Sequence, residues 1–179
     1  MMASCCAILG IVFLVLTNLA IIISFATPYW LDEMHLIAGR VNQGLWAVCS
    51  ESNCRWAFQN DLAIQKNYPV WWVAVQALMA FGLFLGLMSL LVATLALCCE
   101  CKGCNSSHAV AGILMIGFII MGIAVVLFGI KAHLDRGTEM ELERRSSSRF
   151  SWSFYLGISA SALSLFTSLI YACDGRNRH

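Results

Sequence analysis

Four long apolar runs without a single Asp, Glu, Lys or Arg restrict this chain to a membrane. The runs are Met1–Leu31, Asn67–Cys99, Gly103–Ile130 and Phe150–Cys173. About 20 apolar helical residues cross the hydrocarbon core of a bilayer, so each run is long enough to span it. Lipid offers no hydrogen-bond partner to an open backbone, and the runs lack the alternation of barrel strands. We therefore expect each run to be a helix.

The fold predicted from these runs is an all-α integral membrane protein, a four-helix transmembrane bundle that forms one domain over residues 1–179. The predicted spans are about 5–26, 70–97, 109–130 and 154–172. Two longer loops would share one side of the membrane, and a turn and a short tail would share the other. These segments are the loops 27–69 and 131–153, the turn 98–108 and the tail 173–179.

The first run has two interpretations, a membrane span or a cleaved signal peptide. Ser24-Phe25-Ala26 could serve as a cleavage site. However, no basic residue precedes the run, and its apolar stretch exceeds the roughly 7–15 residues of a signal-peptide core. We expect an uncleaved first span.

Charge and composition exclude several classes of function. Charged residues make up 12% of the chain, against about 25% in an average soluble domain, so an ordinary globular surface is not expected. The net charge of +1 gives no electrostatic basis for binding nucleic acid. Transport pathways and proton relays usually need ionisable groups within the membrane, and these spans hold no charged residue, which argues against a pump, a coupled transporter or an intramembrane enzyme. We expect no enzymatic activity, no cofactor and no metal.

Small residues four positions apart predict where the helices contact each other, because helices in lipid associate by close packing. The second span carries Gly82 and Gly86, and the fourth carries Ala160, Ser164 and Ser168. Two interpretations fit this pattern. The residues pack the helices of one bundle together, which we favour, or they form an interface between copies.

Basic residues and cysteines give opposite predictions for the orientation. Basic residues are more frequent in the two long loops, which would place those loops in the cytoplasm. Cys49 and Cys54, two nearby cysteines in a polar loop, instead suit a disulfide and an oxidising, extracellular side. Other cysteines lie at the opposite membrane edge, where cytoplasmic palmitoylation occurs. These are Cys98, Cys99, Cys101, Cys104 and Cys173. We predict a multi-pass plasma-membrane protein with both termini cytoplasmic.

The cysteine-rich turn has two further interpretations. With His108, its thiols could form a zinc site, although no second Cys-x-x-Cys pair faces them across a hairpin and the turn is only a few residues long. The cysteines could also be inert small residues. The turn holds one glycosylation sequon, Asn105-Ser106-Ser107, which stays unmodified if the turn is cytoplasmic.

The first long loop is expected to fold, because Trp30, Trp46 and Trp56 are costly to leave in water. Residues 39–48 indicate a turn followed by a short strand. Gly44 would allow a bend or a close backbone approach next to Trp46.

The series Trp30…Gly44-Leu45-Trp46…Cys49…Cys54 resembles the first-extracellular-loop signature of the claudin superfamily, W…GLW…C…C. The short gap between the cysteines is similar to that of one branch, which holds peripheral myelin protein, the epithelial membrane proteins and lens fibre intrinsic membrane protein. The segment 149–157 resembles the opening of the fourth span in that branch.

The resemblance implies a left-handed bundle with a small antiparallel β-sheet in the first extracellular loop. In that sheet Trp30 and Gly44-Leu45-Trp46 would pack at the membrane surface. Cys49 and Cys54 would bridge two strands.

For function, the resemblance implies a protein that organises cell–cell contacts or membrane apposition through its folded first extracellular loop. The alternatives are an auxiliary subunit of an ion channel or receptor, and a paracellular barrier or pore former. An aromatic or polar stripe on a lipid-facing helix would favour the auxiliary subunit, and none stands out in the sequence. The expected partners are the lipid bilayer, a second copy or another four-span membrane protein, and a channel or receptor for the alternative role.

Overall fold

The structure is a computed structural model that describes residues 5–35, 39–50, 53–57, 69–98, 106–142 and 147–177. Within these ranges the chain forms four long helices and five short strands. The helices are α1 (Cys5–Ala26), α2 (Val70–Cys98), α3 (Ser106–Leu142) and α4 (Trp152–Asn177). The strands are β1 (Leu31–His35), β2 (Gly39–Gln43), β3 (Ala47–Ser50), β4 (Asn53–Trp56) and β5 (Ser147–Phe150).

All four helices are long and apolar enough to cross a membrane, which confirms the prediction of a four-span protein. The apolar stretches are Ile8–Ala26, Val70–Leu97, Ser106–Leu134 and Trp152–Arg176. Large apolar side chains such as Phe84, Ile123 and Leu169 point outward on these helices. Such exposure would be costly in water but is suited to lipid.

The helices pack around a shared core. Contacts are most extensive between α2 and α3, α3 and α4, and α1 and α4, while the α1–α2 contact is smaller. Towards the sheet, Ile21, Met79 and Phe128 are buried in one apolar cluster. A second cluster around Leu14 and Leu114 fills the other end of the bundle.

The third helix is longer than the predicted span. It continues to Leu142, whereas the apolar run ends at Ile130. Residues 131–142 include Lys, Ala, Leu, Arg, Met and Glu, which are good helix formers in water. An uncharged run therefore predicts which part of a helix lies within lipid. It does not predict where the helix ends, because a helix can continue into water.

A five-stranded antiparallel sheet in the order β4-β3-β2-β1-β5 covers one end of the bundle. Four strands come from the first long loop, as the resemblance implied. The fifth strand, β5, comes from the segment predicted as the loop 131–153 and pairs with β1, with Leu31 opposite Phe150. The sheet is therefore shared by both long loops.

The turn that the sequence indicates over residues 39–48 lies in the middle of that segment. Gly39 to Gln43 form β2, which pairs with β1, and β3 begins at Ala47. Gly39 itself has a φ of 72°, a left-handed conformation that favours glycine at the start of this strand. The mostly polar β2 carries no strand pattern of its own and is held by its pairing with both neighbours.

Candidate functional site

Trp30 lies at the junction of the sheet and the bundle and is fully buried. Its indole N–H donates to the carbonyl oxygen of Ser24 at 2.7 Å. Its ring meets Phe128 edge-on, with the centroids 4.8 Å apart, and Phe154 at 5.8 Å. Because its apolar ring is buried and its N–H has a hydrogen-bond partner, Trp30 attaches the start of the sheet firmly to the helix bundle.

The backbone of Trp30 joins three parts of the fold. Its N–H donates to the carbonyl of Gln43 in β2 at 3.1 Å. Its carbonyl accepts from the N–H of Ser151, just before α4, at 3.0 Å. Trp30, four residues past the end of α1, is thus bonded to the sheet on one side and to the start of α4 on the other.

Hydroxyl groups close the same junction between α1 and α4. The Ser24 hydroxyl donates to the carbonyl of Ser153 at 2.9 Å, and the hydroxyls of Thr27 and Ser153 share a hydrogen bond of 2.7 Å. Gly157 faces them, and a Cβ atom there would lie 2.9 Å from Ser24 Oγ. The two helices approach closely because this glycine has no side chain.

Gly44 lies against the backbone that links α1 to β1. A Cβ atom added at Gly44 would overlap Pro28 Cα and lie 2.6 Å from the carbonyl oxygen of Thr27. The Gly44 N–H donates to the carbonyl of Ala47 at 2.8 Å, which closes the turn between β2 and β3. The space at this position admits only glycine.

Leu45 follows in the turn and is fully buried. Its carbonyl oxygen accepts from the side-chain amide of Gln76, a buried residue of α2, at 2.5 Å. Gln76 was not singled out from the sequence. The feature of the sequence that could have identified it is that Gln76 is a lone amide within an apolar span, where a polar side chain needs a hydrogen-bond partner.

Trp46 completes the turn and packs its ring on Phe25 of α1, with the centroids 5.3 Å apart. Its carbonyl accepts from the N–H of Ala57 at 2.8 Å. The structure therefore places Trp30, Gly44, Leu45 and Trp46 together at the helix ends, although they are separated by up to 16 positions in the chain.

The disulfide predicted between Cys49 and Cys54 is present. The two residues lie directly opposite each other on β3 and β4, with their Cα atoms 4.0 Å apart. Cys49 is buried and Cys54 is exposed on the edge strand. The bond fastens the outer hairpin of the sheet.

The small residues of α4 contact α3 inside the bundle. The hydroxyls of Ser164 and Ser168 donate to the carbonyls of Leu114 and Ala111, at 3.0 and 2.8 Å. Ala160 is fully buried one turn before them. Each hydroxyl gains a partner in a neighbouring helix, where water does not reach.

The glycines of α2 also face the interior of one copy. A Cβ atom at Gly82 would overlap the side chain of Met121, and one at Gly86 would lie 2.8 Å from Asn18 Oδ1. Gly82 therefore packs on α3 and Gly86 on α1. Both glycines, like the small residues of α4, are occupied by contacts within a single chain.

The predicted palmitoylation sites lie mostly outside the described residues. Cys99, Cys101 and Cys104 are in that part, as is Asn105 of the sequon, and Cys98 ends α2. Cys173 is an exposed free thiol on α4. Among the described residues, no three His, Cys, Asp or Glu side chains come together as a metal site would require.

Comparisons with known proteins agree with this geometry. The model of the PMP-22/EMP/MP20/Claudin family matches residues 4–171. Human lens fiber membrane intrinsic protein is 24% identical over 163 residues, which cover 89% of this chain and 85% of that protein. The rat and mouse proteins of the same description match with the same identity and coverage.

Proposed function

The chain belongs to the PMP-22/EMP/MP20/Claudin family, and from this membership we propose that it organises cell–cell contacts or membrane apposition through its sheet. The attachment of the sheet at Trp30 is the observation that carries this proposal. A surface that binds a partner across a gap must be held at a defined angle to its own membrane, and Trp30 joins the sheet to both α1 and α4.

The orientation we propose places the sheet outside the cell and both termini in the cytoplasm. The Cys49–Cys54 disulfide supports this orientation, because disulfides persist in oxidising compartments. Cys173, an exposed free thiol, lies near the end of α4 that is farthest from the sheet. In this orientation that end of the helix is on the cytoplasmic, reducing side of the membrane. Palmitoylation of Cys173 and of the cysteines at 98–104 remains part of this proposal.

The surface offered to a partner would be the end of the sheet that is farthest from the helices. At the base of β1, Leu31 is buried against the bundle. Three positions further along, Met34 is 61% exposed, and Arg40 opposite it on β2 is 69% exposed. Arg40 is held by a salt bridge of 2.9 Å to Asp32. An apolar side chain beside an oriented cation suits a protein partner, and we propose a second copy or another four-span protein.

Mixed cell populations test the proposal. Tagged protein is expressed in non-adherent cells, which are mixed with non-expressing cells. We expect enrichment where two expressing cells touch and a loss of that enrichment in Trp46→Ala. A uniform or vesicular distribution of the unmodified protein would contradict a homotypic contact role.

A surface variant separates contact from folding. Met34→Glu places a charge at the exposed end of β1 without touching the buried junction. We expect normal delivery to the cell surface and loss of enrichment at contacts, whereas Met34→Leu retains both. Normal contact enrichment of Met34→Glu would show that this end of the sheet does not meet the partner.

One observation favours the second candidate, an auxiliary subunit of a channel or receptor. Phe81 and Phe84 on α2 are both exposed to lipid and stack with their centroids 6.2 Å apart. Aromatic side chains on an outer helix face are suited to an intramembrane partner. A channel or receptor that co-purifies with the unmodified chain, but not with the Phe81→Leu/Phe84→Leu variant, would support this role.

A further inference from the structure

Two of the six tryptophans of the chain, all within the described residues, are exposed. Trp56 is 41% exposed and Trp152 is 47% exposed. The other four are buried or half-buried at the junction of the sheet and the bundle. Large aromatic rings on the outside of a membrane protein need an environment other than bulk water.

The two exposed tryptophans lie at opposite edges of the sheet. Trp56 ends β4, which is one edge strand, and Trp152 begins α4 two positions after the end of β5, the other edge strand. The antiparallel order makes β4 and β5 run in the same direction. Since β5 runs into α4, both edge strands run toward the membrane.

Hydrogen bonding places Trp56 at the level of the helix ends. The residue after it, Ala57, donates its N–H to the carbonyl of Trp46. Trp46 in turn packs on Phe25, within the membrane span Ile8–Ala26. Trp56 itself lies opposite Ala47, the residue after Trp46, so it is one register position away from the residue that contacts a membrane span.

The same level holds other aromatic side chains that face outward. Trp152 pairs with Tyr29, with the ring centroids 5.4 Å apart, and Tyr155 is exposed on the next turn. Indole and phenol rings concentrate at the headgroup layer, where the apolar part is shielded and the polar edge stays hydrated. Arg55, beside Trp56, is also exposed and supplies a cation of the kind that lipid phosphates attract.

We infer that Trp56 is an interfacial anchor, with its indole in the headgroup layer of the membrane that the helices span. The edge strands of a five-stranded sheet are about 19 Å apart at the usual strand spacing. Two helices packed side by side have axes 8–10 Å apart, about half that width. An anchor at Trp152 alone would hold one edge of the sheet. A second anchor at Trp56 holds the other edge and prevents the sheet from tilting.

Fluorine NMR tests this placement in the unmodified chain. The full-length protein is labelled with 5-fluorotryptophan and reconstituted in lipid nanodiscs, and Trp56→Phe identifies the Trp56 signal by its absence. Spin-labelled lipid is expected to broaden the signals of Trp56 and Trp152, but not that of the buried Trp30. Broadening of Trp56 by a water-soluble paramagnetic agent alone would place the indole in water and overturn the inference. Broadening by neither agent would show that protein covers Trp56, from this chain or a second copy, and would also overturn it.

A fluorescence measurement with matched variants gives an independent test. Protein in vesicles containing brominated lipid is compared as wild type, Trp56→Phe, Trp152→Phe and Trp72→Phe. We expect the fraction of tryptophan fluorescence that the lipid quenches to fall in Trp56→Phe and in Trp152→Phe. It should not fall in Trp72→Phe, because Trp72 is buried. An intact Cys49–Cys54 bond and unchanged thermal unfolding show that each variant is folded. An unchanged quenched fraction in folded Trp56→Phe would contradict the anchor.

Discussion

Gly44 and Pro28 lie in backbone contact so close that a Cβ atom at Gly44 would overlap Pro28 Cα. The neighbouring atoms belong to the main chain, including the Thr27 carbonyl oxygen at 2.6 Å from that Cβ, so no flexible side chain can move aside. The contact sets how closely the first turn of the sheet approaches the end of α1.

Replacing Gly44 with alanine is expected to destabilise the protein by about 1–3 kcal/mol, the usual range for overpacking. The measurement is thermal unfolding of the purified protein in detergent. Gly112→Ala is the matched control, because a Cβ atom there meets nothing within 4 Å. Alanine in that exposed helical position should be neutral or stabilising by about 0.5–1 kcal/mol. Equal stability of both variants would contradict the tight contact at Gly44.

The hydrogen bond from Gln76 to Leu45 links α2 to the sheet, and Gln76→Met should break it while preserving side-chain volume. The Leu45 carbonyl would remain buried without this donor, at a cost of about 1–3 kcal/mol. Hydrogen exchange should increase in the first loop and stay unchanged in α3 and α4. Val73→Met, on the exposed face of α2, serves as the control. Unaltered exchange in the loop would show that Gln76 does not hold the turn.

Ser164 and Ser168 connect α4 to α3 through their hydroxyls, so Ser164→Ala and Ser168→Ala should each weaken the bundle. Interhelical hydrogen bonds of this type contribute about 0.6 kcal/mol on average and at most about 1.7 kcal/mol. Unfolding in mixed micelles measures the effect. Ser159→Ala is the matched control, because its exposed hydroxyl bonds to Tyr155 in its own helix. A change in oligomeric state without a change in stability would instead indicate contact between copies.

Loss of the disulfide by Cys49→Ser should retain the protein inside the cell. The bond closes a small ring, since the cysteines are five positions apart, and the chain-entropy relation gives about 2 kcal/mol of stabilisation. The variant also leaves an exposed free thiol at Cys54 that can form wrong disulfides. Surface biotinylation measures delivery, and Cys49→Ser/Cys54→Ser separates the lost bond from the free thiol. Normal delivery and a normal loop epitope in Cys49→Ser would refute a structural role.

Features that depend on local chemistry could be predicted from the sequence. The four spans follow from the absence of charge, because a charged side chain in lipid is expensive wherever it lies in the fold. The pairing of Cys49 with Cys54 could also be predicted from the sequence, since few residues separate the two cysteines and the loop is polar.

Features that depend on distant partners could not be predicted. Strand β5 has little apolar pattern in Ser147-Ser148-Arg149-Phe150 and forms because β1 offers it hydrogen bonds. The sequence shows Gln76 only as a polar residue in an apolar run. Its partner, the Leu45 carbonyl, is 31 positions away in the chain and is brought to it by the fold. The end of α3 at Leu142 was also missed, because a helix continues into water wherever its own residues support it.

Four membrane crossings and a disulfide-bonded loop could be predicted from residue types alone, because the cost of burying charge and the spacing of two loop cysteines indicate them without knowledge of the fold. The tertiary structure decided which contacts the small residues make. Gly82, Gly86, Ala160, Ser164 and Ser168 fitted either a bundle or an oligomer as a pattern, and the structure uses all five within one chain. The physical reason is that a stripe of small residues specifies close approach, while only the arrangement of whole helices specifies the neighbour that approaches.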